Sequence, residues 1–253
     1  MARSERPHVV LPNWDAVYDY YRDHRPNRLL AWAAYALLGR RFVPRVGYAA
    51  GARDSLRTLI REDRRPLLIV MNHLSELDPY TVSAAAWRSE LRPVIGRTRV
   101  LAKDELFTTS LRTKLDMMGG MPVFRGKDHG SDAVGASSNR LLDTCAERMA
   151  RGDSIALFPE GTVNNSPDLS HLLPLNGGVG QIADRARRLG AKPAVVTLGL
   201  SYGPHANPSK EQVRSASFHF GPPIRNLPSE PAEITALVQR ALQDAVDHAV
   251  EAW

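Results

Sequence analysis

From about Arg53 onward, short continuous apolar runs alternate with stretches whose apolar residues recur at helical spacing. The runs "PLLIVM" (Pro66 to Met71), "VLA" (Val100 to Ala102), "MPVF", "SIALF" and "AVVTLGL" are short and unbroken, as buried strands require. "SASFHF" reads as a late, partly polar strand. Between them, "YTVSAAAWRSE", "LFTTSLRTKLDMM", "SDAVGASSNRLLDTCAERMARG" and "GGVGQIADRARRLG" predict helices. Gly119-Gly120 stops the second of these, and Gly152 lies just past the end of the third. The closing stretch "PAEITALVQRALQDAVDHAV" is amphipathic, with Ile234, Leu237, Val238, Ala241, Leu242 and Ala245 on one face. Alternating strands and helices predict an α/β domain whose mixed, mostly parallel sheet is flanked by helices. In such sheets, sites gather at the carboxyl ends of strands. The segments "GKDHGSD" and "SYGPHANPSKEQ" read as loops.

The first 45 residues follow a different pattern. "NWDAVYDYYRDH" and "NRLLAWAAYALLGRR" predict two short helices parted at Arg25-Pro26. Trp32 and Tyr35 lie in the apolar body of the second, with Arg22, Arg25 and Arg28 before it and Arg40, Arg41 and Arg45 after. Rings at headgroup level and cations facing anionic lipid suit a membrane interface. A helical hairpin packed on the main domain fits the same pattern. The expected division is a membrane-associating two-helix segment over 1–45 and an α/β domain over 46–253. The longest apolar stretch, Leu29 to Leu38, falls well short of the ~20 residues a spanning helix needs. The N-terminus shows neither the apolar core nor the cleavage site of a secretory leader.

Of the 253 residues, 43% are hydrophobic and 24% charged, which excludes global disorder. The net charge of +6 suits anionic partners: nucleic acid, membrane or small substrates. Its arginines concentrate beside the apolar N-terminal helix rather than along a reading helix, which argues against nucleic acid. The one cysteine, Cys145, allows no internal disulfide and reads as a small buried residue on a helix. The chain has no P-loop, no Gly-x-Ser-x-Gly and no Cys/His zinc spacing. Gly178-x-Gly180-x-x-Ala183 lacks the preceding strand and the downstream acid of a dinucleotide fingerprint. No metal or cofactor is therefore expected.

Three clusters could carry chemistry. In "NHLSELDP", His73 emerges at the end of a buried strand, and Asp78 starts a helix ahead of Pro79. Across a strand–turn–helix junction Asp78 can swing back to the imidazole, orienting His73 as a general base. A loop histidine with Asp78 acting only as a helix cap fits equally. In "GGMPVFRG", Arg125 places a guanidinium fork near a strand end, suited to phosphate or simply solvated. In "IALFPEGTVNNS", another buried strand ends at Pro159 and Glu160, and Gly161 and Thr162 offer a backbone amide and a hydroxyl. A tight turn with a surface Glu is the plain alternative.

Together these blocks resemble the glycerolipid acyltransferase family, specifically bacterial 1-acylglycerol-3-phosphate acyltransferases. Asn72, His73 and Asp78 match its Asn-His-x4-Asp block, Gly120 and Arg125 its Gly-x4-Arg block, and Phe158 to Thr162 its Phe-Pro-Glu-Gly-Thr block. "AKDELF", with Lys103, resembles the stretch before the second block, and the likeness runs over about Arg65 to Tyr202. The resemblance implies direct acyl transfer from a thioester, acyl-CoA or acyl carrier protein, to a lysophospholipid hydroxyl, with no cofactor. His73 would be the base and Asp78 its orienter; Arg125, Glu160, Gly161, Thr162, Lys103 and Asn72 would hold the acceptor. It also implies peripheral or monotopic attachment, through the N-terminal helices, to the cytoplasmic face of an anionic membrane. Two departures bear on the acceptor: Val163 and Asn164 follow Thr162 where Arg-Ser is usual, and Asn176 stands where Lys is common. A lipid-binding protein that kept the fold without the chemistry is the alternative.

Overall fold

The computed structural model describes residues 6–203 and 210–253, so part of the "SYGPHANPSKEQ" loop lies outside the described residues. Helices α1 (Trp14–Asp23) and α2 (Arg28–Arg41) precede strand β1 (Arg45–Tyr48), α3 (Ala52–Arg61), β2 (Leu67–Met71) and α4 (Asp78–Arg88). Next come β3 (Thr98–Lys103), a 3-10 turn (Asp104–Thr108), α5 (Arg112–Met118), β4 (Gly120–Val123), α6 (Gly126–His129), α7 (Gly135–Ala150) and β5 (Ser154–Leu157). The chain closes with α8 (Gly178–Arg188), β6 (Ala194–Ser201), α9 (Lys210–Arg214), β7 (Ser217–Phe220) and α10 (Pro231–Glu251).

The strands form one seven-stranded sheet in the order β1-β7-β6-β2-β5-β3-β4. Every pairing is parallel except β6 with β7. Side chains alternate across the sheet with a period of two, so each face builds its own core. Leu68, Val70, Ile155 and Val195 face one core, and Leu67, Ile69, Met71 and Val196 face the other. β2 and β6 are buried along their whole length, which explains their unbroken apolar sequences. α10 lies against β6 so closely that a Cβ on Gly199 would sit 2.1 Å from the Ala245 carbonyl oxygen.

Several elements differ from their sequence reading. β1 is a half-exposed edge strand whose Arg-Val-Gly-Tyr carries no apolar run. "LFTTSLRTKLDMM" is not one helix: Thr108 and Thr109 hydroxyls donate to the carbonyls of Glu105 and Leu106, and the backbone breaks before α5. "GKDHGSD" contains the short helix α6.

α1 shares the core of the sheet. Val17, Tyr18 and Tyr21 are buried, the Tyr18 hydroxyl donates to the Pro122 carbonyl, and the Tyr21 hydroxyl donates to Asp116 at 2.6 Å. α2 packs through Gly39 on Trp87 of α4, and the Arg88 guanidinium clasps the Gly39 carbonyl. Trp32 meets the same Trp87 ring edge-on, 4.4 Å between centroids, and stays half-exposed, while Leu29, Leu30 and Leu37 of α2 are exposed. Among the described residues, no helix is long and apolar enough to cross a membrane.

Candidate active site

Because β2 to β6 run parallel, their carboxyl ends open on one edge of the sheet. That edge receives His73 after β2, Lys103 at the end of β3, Arg125 after β4, Glu160 after β5 and Tyr202 after β6. The side chains converge because the sheet topology does, not because they are close in sequence.

The His73 Nδ1 lies 2.8 Å from Asp78 Oδ2. Pro79 at the second position of α4 keeps Asp78 at the helix start, where backbone N–H groups favour an anion. The same Oδ2 accepts the backbone N–H groups of Leu74 at 2.7 Å and Ser75 at 3.0 Å. The Tyr202 hydroxyl donates to Oδ1 at 2.7 Å. Asp78 is fully buried, and these donors compensate its charge. Against a carboxylate, Nδ1 of His73 carries the hydrogen, so in the neutral imidazole Nε2 is the acceptor. The ring lies over Phe158, 4.0 Å between centroids and 12° from parallel, and is 16% exposed. An oriented, partly accessible imidazole with a free lone pair can take a proton from a hydroxyl. Asp78 is not a helix cap: Leu77 holds the N-cap position of α4 without a side-chain cap bond, and the N–H groups that Asp78 accepts precede the helix.

Glu160 braces this unit from below. One carboxylate oxygen accepts the His73 backbone N–H at 2.8 Å and the other the Leu173 N–H at 2.9 Å. Burial pushes its carboxyl above the ordinary carboxylate range, and those two N–H groups oppose the shift. Gly161 adopts a φ of +70°, and a Cβ there would meet the Asn176 amide at 2.5 Å. The Asn164 N–H donates to the His73 carbonyl at 2.7 Å, closing the loop on the strand end.

The remaining candidates form a cationic rim. Arg125 donates to Asp128 at 2.6 Å and to the Gly161 carbonyl at 3.4 Å. Lys103 pairs with Glu105. Thr162 accepts from Lys127, a residue of α6 that sequence reasoning passed over. Asn72 points elsewhere: its amide exchanges bonds of 2.7 and 2.9 Å with the Leu200 backbone, continuing the β2–β6 ladder in a buried position. Tyr202 was also missed, although it too is a polar residue at the end of an apolar strand. No group of acids, cysteines and histidines able to hold a metal occurs among the described residues.

With this geometry in place, a family model described as Acyltransferase matches residues 40–201, well over half the chain. The chain belongs to the acyltransferase family. This acyltransferase also shares its fold with the crystal structure of the 1-acyl-sn-glycerophosphate (LPA) acyltransferase, PlsC, from Thermotoga maritima. The TM-score is 0.57 at 16% identity, covering 95% of this chain and 90% of that one. No curated protein matches the acyltransferase by sequence.

Proposed function

We propose that the protein transfers a fatty acyl group from a thioester, acyl-CoA or acyl carrier protein, to a hydroxyl of a lysophospholipid such as 1-acylglycerol 3-phosphate. The observation that carries this is the His73–Asp78 pair, with its second nitrogen free, beside Arg125 on the Gly161 turn. The acceptor hydroxyl gives its proton to His73 Nε2 as its oxygen bonds to the thioester carbon. The tetrahedral intermediate collapses and expels the thiolate, which takes that proton back from the imidazolium. An ester and a free thiol remain. A base so placed contributes about 10²–10⁴-fold. Attack is direct: the one cysteine, Cys145, is buried, and burial pushes its thiol up, away from the thiolate.

The acceptor is a membrane lipid, and the exposed apolar residues suit its delivery. Leu29, Leu30, Trp32 and Leu37 on α2 are flanked by exposed Arg25, Arg28, Arg40 and Arg41. Phe42 stacks on Tyr80, and exposed Leu77 and Tyr80 flank Asp78. This surface would rest on the anionic cytoplasmic face of a membrane without spanning it, the apolar residues dipping below the headgroups.

The test is thiol release and ester formation with a panel of lysophospholipids and acyl thioesters, for wild type and His73→Ala. The variant should lose at least about 10²-fold in turnover. Undiminished turnover would sink the mechanism, and lysolipid binding without thioester consumption by wild type would favour a binding protein.

A further inference from the structure

The cationic rim is unevenly neutralised. Lys103 at the end of β3 pairs with Glu105 at 2.5 Å, and Arg125 after β4 pairs with Asp128 at 2.6 Å. Lys127 instead donates to a neutral oxygen, the Thr162 hydroxyl, at 2.7 Å. Although burial opposes it, Asp128 is held below the ordinary carboxylate range by its bond from Arg125 and by the charges of Arg125, Lys103 and Lys127. Of the three cations, Lys103 and Arg125 each hold a carboxylate, and Lys127 holds the Thr162 hydroxyl.

The position of Lys127 is set by its surroundings. At one end of α6, Arg125 reaches the Gly161 carbonyl; at the other, His129 Nε2 lies 2.9 Å from the buried Asp104 carboxylate. Lys127 is exposed between them and crosses to Thr162. Thr162 belongs to the turn whose first residue, Glu160, grips the backbone of His73. The turn itself carries no cation: Val163 is apolar, and Asn164 is buried with its amide on the His171 carbonyl and the Ser166 N–H. Positive charge reaches this side of the cleft from α6 instead.

We propose that Lys127 is a specificity-determining residue of the acceptor site, supplying a cation held by a hydroxyl rather than a carboxylate, which selects a headgroup of the phosphate class. The inference rests on the acyl-transfer reading for its biological setting. An incoming phosphate draws the ammonium from Thr162 and shares Arg125 with it, displacing Asp128. A neutral headgroup offers Lys127 nothing better than the hydroxyl it already has. Selection then appears mostly in KM, because the charge lies at the headgroup and not at the reacting carbonyl.

The experiment uses the full chain with Lys127→Met and Lys127→Arg, exposed positions that leave the core untouched. One arm measures equilibrium binding of glycerol 3-phosphate and of inorganic phosphate, without thioester. The other measures the ratio of kcat/KM for 1-acylglycerol 3-phosphate over monoacylglycerol. The Met variant should bind glycerol 3-phosphate about tenfold more weakly and lose about tenfold in that ratio, chiefly through KM, as loss of one charge-assisted bond implies. The Arg variant should recover most of both. Glycerol 3-phosphate binding that is absent in wild type, or equal in wild type and Met variant, would overturn the proposal. Inorganic phosphate bound as tightly as glycerol 3-phosphate would make this a free-phosphate site and overturn it too. If wild type shows no turnover, the acyl-transfer reading fails while the binding arm still decides the role of Lys127.

Discussion

Replacing Asp78 by Asn would keep the shape of the candidate site and remove its charge. The amide oxygen can occupy the place of Oδ2, accepting from His73 Nδ1, Leu74 and Ser75, while the amide nitrogen faces the Tyr202 hydroxyl, which can rotate to accept. What disappears is the attraction between Asp78 and the imidazolium that forms as His73 takes the acceptor proton. For opposite unit charges about 4 Å apart at an effective dielectric of about 20, that attraction is about 4 kcal/mol. Each 1.36 kcal/mol is tenfold in rate, so turnover should fall about 10³-fold. KM for the acceptor should change little, because the charge matters only once the proton has moved. Steady-state thiol release, with circular dichroism to confirm the fold, measures this. Turnover within tenfold of wild type would refute the claim that Asp78 acts electrostatically through His73.

Further outcomes follow from the same geometry. Tyr202→Phe removes a hydrogen bond to a buried carboxylate and should cost about 1.5–3 kcal/mol of stability in urea unfolding. Its turnover should fall less than in Asp78→Asn, because the charge stays; an unchanged urea midpoint would show that Tyr202 does not hold Asp78. Glu160 has a folded pKa raised by burial above its unfolded value, so the folded state binds the proton more tightly. Its contribution is therefore full below the unfolded value of about 4.5 and is lost as pH rises through the raised one. Glu160→Gln should gain stability relative to wild type as pH rises from 4.5, and a pH-independent difference in urea midpoint would count against it. Leu29 and Leu37 are 83% and 66% exposed, so Leu29→Asp with Leu37→Asp should leave stability within about 0.5 kcal/mol. The double variant should nevertheless sediment less with anionic vesicles; equal sedimentation would remove α2 from the membrane contact. Deleting residues 1–45 would be a poorer test, because Tyr18 and Tyr21 belong to the core.

Much of the fold is legible in local pattern, for a physical reason. β2 and β6 lie in the middle of a parallel sheet with helices on both faces, so each must be apolar throughout, and each reads as a short unbroken run. His73, Arg125 and Glu160 are legible because each follows such a run, where a polar group marks the strand's exit from the core. β1 escapes notice because an edge strand half open to solvent needs no apolar run. The break inside "LFTTSLRTKLDMM" escapes because two threonine hydroxyls, not a glycine or proline, compete for the backbone.

The sequence by itself determined the apolar strands and their polar exits, which act over a few residues, and left the pairing of His73 with Asp78 as one of two readings. Only the tertiary structure decided what surrounds them. Tyr202 reaches Asp78 across 124 positions, and Lys127 reaches Thr162 across 35. Asn72, adjacent to the base, is taken instead by the Leu200 backbone 128 positions away. α1, written like a partner for α2 at a membrane, spends its tyrosines on the sheet's core. Such choices depend on strand order and on which carboxyl ends meet at one edge, and the periodicity of a single element carries no record of its neighbours.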